Sequence, residues 1–197
     1  MKENLDDNYW SSRYKSNLTG WDIGDVALPL KTYFEQLNDK SIKILIPGCG
    51  NAHEAKYLLD NGFTDITLID ISEVLVEKLK NELNEYIQKG FCRVIHQDFF
   101  EHQAQYDLII EQTFFCAIDP QFRSQYANKM YELLKPNGKL VGVMFNREFV
   151  VGPPFGGTKA EYLTYFEPLF SIKTMDDCYN SIKPRAGSEL FVNLVKL

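Results

Sequence analysis

The stretch Ile42-Lys43-Ile44-Leu45-Ile46-Pro47-Gly48-Cys49-Gly50, together with the acid Asp70 further along the chain, decides the fold. The apolar run predicts a buried strand that ends in a glycine turn, followed by a helix and a second strand that closes on the carboxylate. Gly48 and Gly50 carry no Cβ, so the backbone can turn sharply there and approach a ligand closely. A carboxylate about 20 residues further on is placed to accept hydrogen bonds from a ribose diol. The sequence therefore predicts a site for an adenosine-containing cofactor.

The residues after the first glycine indicate which cofactor this is. A dinucleotide site requires Gly-x-Gly-x-x-Gly, whereas this chain has Gly48-Cys49-Gly50-Asn51-Ala52-His53, with a histidine in the third glycine position. A Pro-x-Cys-Gly turn is instead typical of methyltransferases that use S-adenosylmethionine, which has no phosphate to bind. We therefore expect Gly48, Cys49, Gly50 and His53 to contact S-adenosylmethionine. A strand-to-helix turn without any ligand is the alternative.

Composition excludes several other classes of protein. The 197 residues suit one α/β domain, predicted to span 1–197, and Lys plus Arg total 21 against 27 Asp plus Glu, a formal net charge of −6. That balance argues against a nucleic-acid partner, and no apolar run is long enough to span a membrane. Because the N-terminus is unlike a signal peptide and the four cysteines match neither a zinc site nor a disulfide framework, we expect a cytoplasmic protein with free thiols. We also expect a monomer.

Strands and helices alternate after residue 41. The predicted strands are 42–47, 66–71, 91–96, 106–111 and 139–145, and the predicted helices are 51–60, 73–88 and 121–135. Two further extended runs, 171–175 and 190–195, predict an antiparallel hairpin at the sheet edge. The pattern predicts an α/β, Rossmann-like fold, with a mostly parallel seven-stranded sheet and a C-terminal antiparallel hairpin. Residues 1–40 lie outside it, and we expect them to form a lid over the carboxyl ends of the strands.

Three acids end predicted strands. Asp70 is expected to bind the ribose, and its alternative role is to cap the helix that begins beside Ser72. Asp98 is expected to accept the adenine amino group while Phe99 covers the ring, unless the pair is an ordinary loop with core phenylalanines. Glu111 is expected to face the methionine end of the cofactor or the substrate, with a solvated strand-end acid as the alternative.

Aromatic residues are expected at the same mouth. A sulfonium cation is attracted to aromatic faces by roughly 0.5–2 kcal/mol, and aromatic walls also exclude water. The histidines have no zinc-site spacing, so no metal site is predicted. The aromatic residues concerned are Trp10, Tyr14, Trp21, Phe114 and Phe115.

Together these motifs resemble the thiopurine S-methyltransferase superfamily, and within it the plant-type thiol and halide methyltransferases. The resemblance covers almost the whole chain. The segments that carry it are Trp10-x-x-x-Tyr14, Thr19–Gly24, Ile46–Gly50 with His53, Asp70-Ile71-Ser72, Asp98-Phe99-Phe100, Tyr106–Ile109, Phe114–Pro120, Met130–Gly138 and Gly152-Pro153-Pro154-Phe155.

By that resemblance, the implied activity is methyl transfer from S-adenosylmethionine to a small thiol, bisulfide or halide by in-line displacement. The predicted catalytic residues are Glu111, Phe114 and Arg185. Arg185, in the hairpin loop, is a candidate for attracting the anion, and its alternative is a solvated loop arginine. Glu111-Gln112 stands where drug-type relatives carry an Asp-Arg pair, which tilts the expected acceptor towards small nucleophiles. The implied cofactor contacts are Trp10, Trp21, Gly48, Asp70, Ile71, Asp98, Phe99 and Glu111.

No general base is assigned, because a thiol with a pKa near 8.5 is already a few per cent ionised at neutral pH. Three alternatives stay open. One is methyl transfer to oxygen or nitrogen of another small metabolite, and another is a cofactor-binding module without transfer activity. An NAD-dependent oxidoreductase is disfavoured by His53.

Overall fold

The computed structural model describes residues 4–197 and builds them around one seven-stranded sheet, as predicted. The strands follow the order β3-β2-β1-β4-β5-β7-β6 across the sheet. Their bounds are Ile44–Pro47 (β1), Ile66–Asp70 (β2), Cys92–His96 (β3), Tyr106–Gln112 (β4), Leu134–Phe145 (β5), Phe170–Asp177 (β6) and Glu189–Lys196 (β7).

The first five strands run parallel, because β1 pairs with β2 and β4, β2 pairs with β3, and β4 pairs with β5 in that sense. The predicted C-terminal pair is confirmed as antiparallel, but its place differs from a simple edge hairpin. β7 is inserted between β5 and β6 and is antiparallel to both, so the edge strand β6 runs in the direction of β5.

The helices flank the sheet. Their bounds are Asp7–Lys15 (α1), Leu28–Phe34 (α2), His53–Asp60 (α3), Glu73–Glu82 (α4), Asn84–Gln88 (α5), Arg123–Leu133 (α6) and Lys159–Phe166 (α7). The helix predicted over 73–88 is broken at Leu83, whose φ of −100° and ψ of 12° leave the helical region. The one predicted over 121–135 starts at Arg123, after a 3₁₀ turn over Pro120–Phe122, and β5 follows it without a gap.

The apolar strand 44–47 is buried on both faces. Ile44 and Ile46 belong to the core cluster beneath α3 and α4, whereas Leu45 belongs to the cluster beneath α6 and α7. Successive side chains of a strand point to opposite faces, so a strand covered by helices on both sides has to be apolar throughout. This explains why a continuous apolar run, without alternation, precedes the glycine turn.

Helix α1 docks on the N-terminal end of α4, next to the end of β2. A carboxylate oxygen of Asp7 accepts a hydrogen bond from the Glu73 backbone N–H at 3.1 Å, and Ser11 Oγ lies 2.9 Å from Ser72 Oγ. The N-terminal segment therefore lies near the carboxyl ends of the strands. Among residues 4–197, no helix is long and apolar enough to cross a membrane.

Candidate active site

A cavity of about 1100 Å³ opens at the carboxyl ends of the parallel strands. Its volume is at the upper end of the roughly 300–1,000 Å³ usual for small-molecule sites. Almost every residue that the sequence suggests for a site lies on its wall. These are Trp10, Trp21, Gly48, Cys49, Gly50, His53, Asp70, Ile71, Asp98, Phe99, Phe114 and Arg185.

The glycine turn forms the floor of the cavity. Gly48 and Gly50 have φ angles of +55° and +51°, in the left-handed region that side chains disfavour. A Cβ on Gly48 would also come within 2.6 Å of Phe114 Cγ, so only glycine leaves room for that ring. Both the backbone conformation and the space above it therefore require glycine at position 48.

Asp70 ends β2 beside Ser72, the residue that caps α4, and its expected contact with a ribose stays a prediction. Its carboxylate accepts hydrogen bonds from the backbone N–H groups of Ser72, at 2.9 Å, and Gly50, at 3.4 Å, and the residue also lines the cavity. Burial raises the pKa of Asp70 to about 6, although these backbone hydrogen bonds act in the opposite direction. The acid thus ties the glycine turn to the start of α4 while presenting a carboxylate to the cavity.

Asp98 and Phe99 follow β3. Asp98 Oδ1 accepts a hydrogen bond from the Phe100 backbone N–H at 2.8 Å and so begins a 3₁₀ turn over Phe99–Glu101. The buried ring of Phe99 packs edge-on against Phe114, with ring centroids 5.2 Å apart. Both residues line the cavity, as an adenine-binding pair would need to.

Glu111 lies behind the cavity wall, and this placement corrects the expectation that its carboxylate faces a ligand. It is 1% exposed, and Oε1 accepts hydrogen bonds from the backbone N–H groups of Phe114, at 2.8 Å, and Phe115, at 2.9 Å. The Tyr126 hydroxyl donates to Oε2. Burial raises the pKa of Glu111 to about 7, against the effect of these donors. Glu111 therefore holds the turn that carries Phe114, and a buried acid at a strand end is easily mistaken for a ligand contact in a sequence.

The side of the cavity formed by the N-terminal segment is aromatic. The Trp21 ring stands nearly perpendicular to Trp10 and to Tyr14, with centroids 5.6 Å and 5.8 Å apart. Burial, with a contribution from the nearby Asp70 charge, raises the pKa of Tyr14, so this hydroxyl stays neutral. Trp10, Tyr14, Trp21 and Phe114 line this cavity as predicted, whereas Phe115, also expected there, is buried in the core beneath α6 and α7.

Asp22 also lines the cavity, although it is not among the predicted site residues. Its Oδ1 lies 2.8 Å from His53 Nε2 and its Oδ2 accepts a hydrogen bond from the Asn51 side chain. Burial alone would raise the pKa of Asp22, but the donors Asn51, Gly24 and His53 outweigh it, and the pKa is lowered. His53, expected to face the cofactor, therefore contacts the N-terminal segment through Asp22 and also lines the cavity.

The cavity wall beyond β5 consists of apolar rings and two arginines. The Arg147 guanidinium lies 4.9 Å from the centroid of the Phe149 ring. Arg185 instead donates a hydrogen bond to the Trp21 carbonyl at 2.6 Å and contacts Glu189 Oε1 at 3.3 Å. Gln112 ends β4 and lines the cavity, and its Oε1 is buried without a hydrogen-bond partner among residues 4–197. The loop that contains Pro153 and Pro154 completes this side.

Comparison with known proteins agrees with this geometry. A family model described as thiopurine S-methyltransferase (TPMT) matches residues 5–192. The chain belongs to the thiopurine S-methyltransferase family. Among its members, "Thiocyanate methyltransferase 1" of Brassica oleracea is 28% identical over 194 residues, covering 96% of this chain and 85% of that protein. "Probable thiol methyltransferase 2" of Arabidopsis thaliana is 30% identical over 184 residues, covering 91% and 81%.

Comparison with solved structures shows that this chain has the Rossmann-like methyltransferase fold. Magnesium protoporphyrin IX methyltransferase from Synechocystis PCC 6803, with bound S-adenosylmethionine, gives a TM-score of 0.73 at 16% identity and covers 100% of both chains. The 1,6-didemethyltoxoflavin-N1-methyltransferase of Burkholderia thailandensis gives 0.71 at 17% identity, covering 96% of this chain and 86% of its own. At these identities the likeness concerns the fold alone.

As a member of this family, the protein is an S-adenosylmethionine-dependent methyltransferase, and the residues present fit that cofactor. Gly48, Gly50 and the Asp70 carboxylate line the same cavity. The aromatic faces of Trp10 and Trp21 suit a sulfonium cation. Within residues 4–197, no group of His, Cys, Asp or Glu is arranged to hold a metal ion.

Proposed function

We propose that this protein transfers the methyl group of S-adenosylmethionine to a small thiol, bisulfide or halide ion. The observation that carries the proposal is that one cavity brings the glycine turn and Asp70 together with the aromatic lid and the apolar wall beyond β5. The names of the relatives, which refer to thiocyanate and thiols, support this class of acceptor.

Each residue of the proposed site has a physical task. The cofactor supplies a methyl group on a sulfonium, which is already a good leaving group. Asp70 accepts hydrogen bonds from the ribose, and Asp98 with Phe99 holds the adenine. Trp10 and Trp21 offer aromatic faces to the positive charge. Phe114, fixed above Gly48 by the Glu111 hydrogen bonds, excludes water from the reacting centre.

The main contribution of the protein to the reaction is to align the nucleophile with the methyl group. Holding a nucleophile in line behind the methyl carbon can supply roughly 7–11 kcal/mol in favourable cases. A thiol needs no dedicated base at neutral pH, and halide and thiocyanate ions carry no proton. This suits a site in which Glu111 is turned into the protein interior and Arg185 is paired with Glu189.

A small acceptor is favoured by Gln112, because this neutral amide stands where the drug-type relatives carry an arginine. We further propose that the chain acts as one domain, as a monomer, with residues 1–40 as a lid. The four cysteines are all free and buried, which supports a reducing, cytoplasmic location.

The proposal is tested by S-adenosylhomocysteine release with bisulfide, thiocyanate, iodide and a small aromatic thiol as parallel acceptors. Turnover with one of the first three is expected, and it should be lost in Asp70→Asn while the matched surface variant Asp177→Asn keeps it. Cofactor binding without turnover on any of the four would contradict the acceptor class. It would then favour methyl transfer to oxygen or nitrogen, or a binding module. No binding at all would overturn the cofactor site itself.

A further inference from the structure

Trp21 is held from the C-terminal side of the molecule by Arg185. Arg185 is the last residue of a 3₁₀ turn over Lys183–Arg185 in the loop before β7. Its side chain is 11% exposed, and its Nη2 donates to the Trp21 carbonyl at 2.6 Å. Its guanidinium is fixed in turn by Glu189 Oε1 at 3.3 Å and by the face of Phe145, whose centroid lies 5.4 Å away. An arginine held in this way fixes the position of the lid segment at Trp21, and it has little freedom to follow an incoming anion.

The next residue, Asp22, is held from the opposite side. Its carboxylate contacts Asn51, which lies in the glycine turn, and His53, which lies in the first turn of α3. Asn51 is itself fixed, because Lys78 Nζ donates to its Oδ1 at 2.8 Å. The same Asp22 carboxylate accepts the Gly24 backbone N–H at 2.7 Å, which shapes the lid loop locally.

We infer that Arg185 and Asp22 are positioning residues that together fix Trp21 across the cavity, one from the C-terminal hairpin and one from the glycine turn. Because Arg185 binds a backbone carbonyl, it sets where the lid chain runs, and the ring of Trp21 then packs against Trp10 and Tyr14. The consequence for catalysis rests on the proposed function, in which Trp21 faces the sulfonium. Loosening either anchor should weaken cofactor binding more than it slows the bound complex.

The chain offers a direct readout, since Trp10 and Trp21 are its two tryptophans. In a Trp10→Phe background, Trp21 is the single tryptophan, and its emission reports how well the lid is held. Arg185→Met is expected to shift that emission to longer wavelength without any ligand, and to raise the dissociation constant of S-adenosylhomocysteine roughly tenfold or more. Lys183→Met removes the same charge from an exposed position of the same turn, outside the cavity wall, and should leave both measurements unchanged.

Two further variants separate positioning from folding. Arg185→Lys keeps the charge but loses the planar fork, so it should restore part of the emission and part of the affinity. Asp22→Asn should reproduce the emission shift. In the double variant Asp22→Asn with Arg185→Met, the loss of binding free energy should be smaller than the sum of the two single losses, because both residues hold one segment. Far-UV circular dichroism identifies any variant that is unfolded. If Arg185→Met does not fold, the emission and affinity of Arg185→Lys and Asp22→Asn test the inference in its place.

The outcomes distinguish this inference from the proposed function. If Arg185→Met and Lys183→Met both have the same emission and the same affinity as the parent, Arg185 does not hold Trp21 in place. If kcat falls while KM for S-adenosylmethionine is unchanged, Arg185 acts on the reacting groups and not on the lid. The emission measurement needs no acceptor, so a wrong acceptor class would leave it standing.

Discussion

Among single residues, Glu111 should contribute strongly to the pH dependence of stability, alongside Asp70. Its carboxyl group is buried and its pKa is raised from the usual 4.5 to about 7. The folded protein therefore holds this proton more tightly than the unfolded chain does. The favourable contribution is complete below about pH 4.5 and is lost as the pH rises through about 7.

Glu111→Gln should remove that pH dependence. The amide keeps an oxygen for the Phe114 and Phe115 N–H groups and has no proton to lose. The free energy of unfolding, measured in urea between pH 5 and 8, should fall with pH more steeply in the wild type than in the variant. The difference in slope should be at most about 1.4 kcal/mol per pH unit. Glu167→Gln, an exposed control, should keep the wild-type slope. Parallel curves for wild type and Glu111→Gln would contradict the assignment.

Gly48 should tolerate no side chain, for two reasons that can be separated. Gly48→Ala adds backbone strain at φ +55° and an overlap with the Phe114 ring. Gly62→Ala adds strain at φ +87° in open space, so it measures the backbone cost alone, on the order of 1–2 kcal/mol. Thermal unfolding and S-adenosylhomocysteine titration should show a larger loss for Gly48→Ala, with affinity lost there alone. Equal losses in both variants would mean that Phe114 moves aside freely.

At the scale of elements, periodicity predicted the parallel strands and α3 because each has a strong local pattern. The break at Leu83 was missed because Leu75, Leu79 and Leu83 continue the apolar period across it, and all three are buried. The insertion of β7 between β5 and β6 depends on pairing between distant segments. No local pattern records such a strand order.

Helix α6 holds the proline loop through Arg123. This buried guanidinium pairs with Glu161 Oε1 at 2.7 Å and donates to the Gly156 carbonyl at 2.7 Å, between the rings of Phe115 and Tyr162. Arg123→Met should therefore lower the free energy of unfolding by roughly 2–4 kcal/mol.

Chemical denaturation measures this loss against a matched control. Lys80→Met removes a cation from an exposed pair with Glu77, and such pairs contribute less than about 1 kcal/mol. Equal effects of the two substitutions would show that the loop does not depend on Arg123.

At the scale of the whole molecule, the part of the cavity wall around the glycine turn could be predicted because its residues follow a short motif and lie at or near strand ends. Asp70, Gly48 and Asp98 are all of this kind. The contacts of Asp22 with His53 and of Arg185 with Trp21 could not be predicted, since they join segments 31 and 164 residues apart. The orientation of Glu111 could not be predicted either. A strand-end position does not determine whether the carboxylate faces the cavity or the protein interior, where Glu111 is buried.

Cofactor binding should protect the lid from proteolysis. Helix α1 carries the trypsin sites Arg13 and Lys15, and Arg13 lines the cavity, so cleavage there requires α1 to open. Saturating S-adenosylhomocysteine should slow these cleavages by up to roughly hundredfold at 100 times its dissociation constant, because the ligand binds the closed form. Lys89 follows α5, outside the cavity wall, and serves as the internal control. Mass spectrometry of the fragments reads both rates. Equal slowing at Lys89 would indicate global stabilisation, and unchanged cleavage at Arg13 would show that the lid opens independently of the ligand.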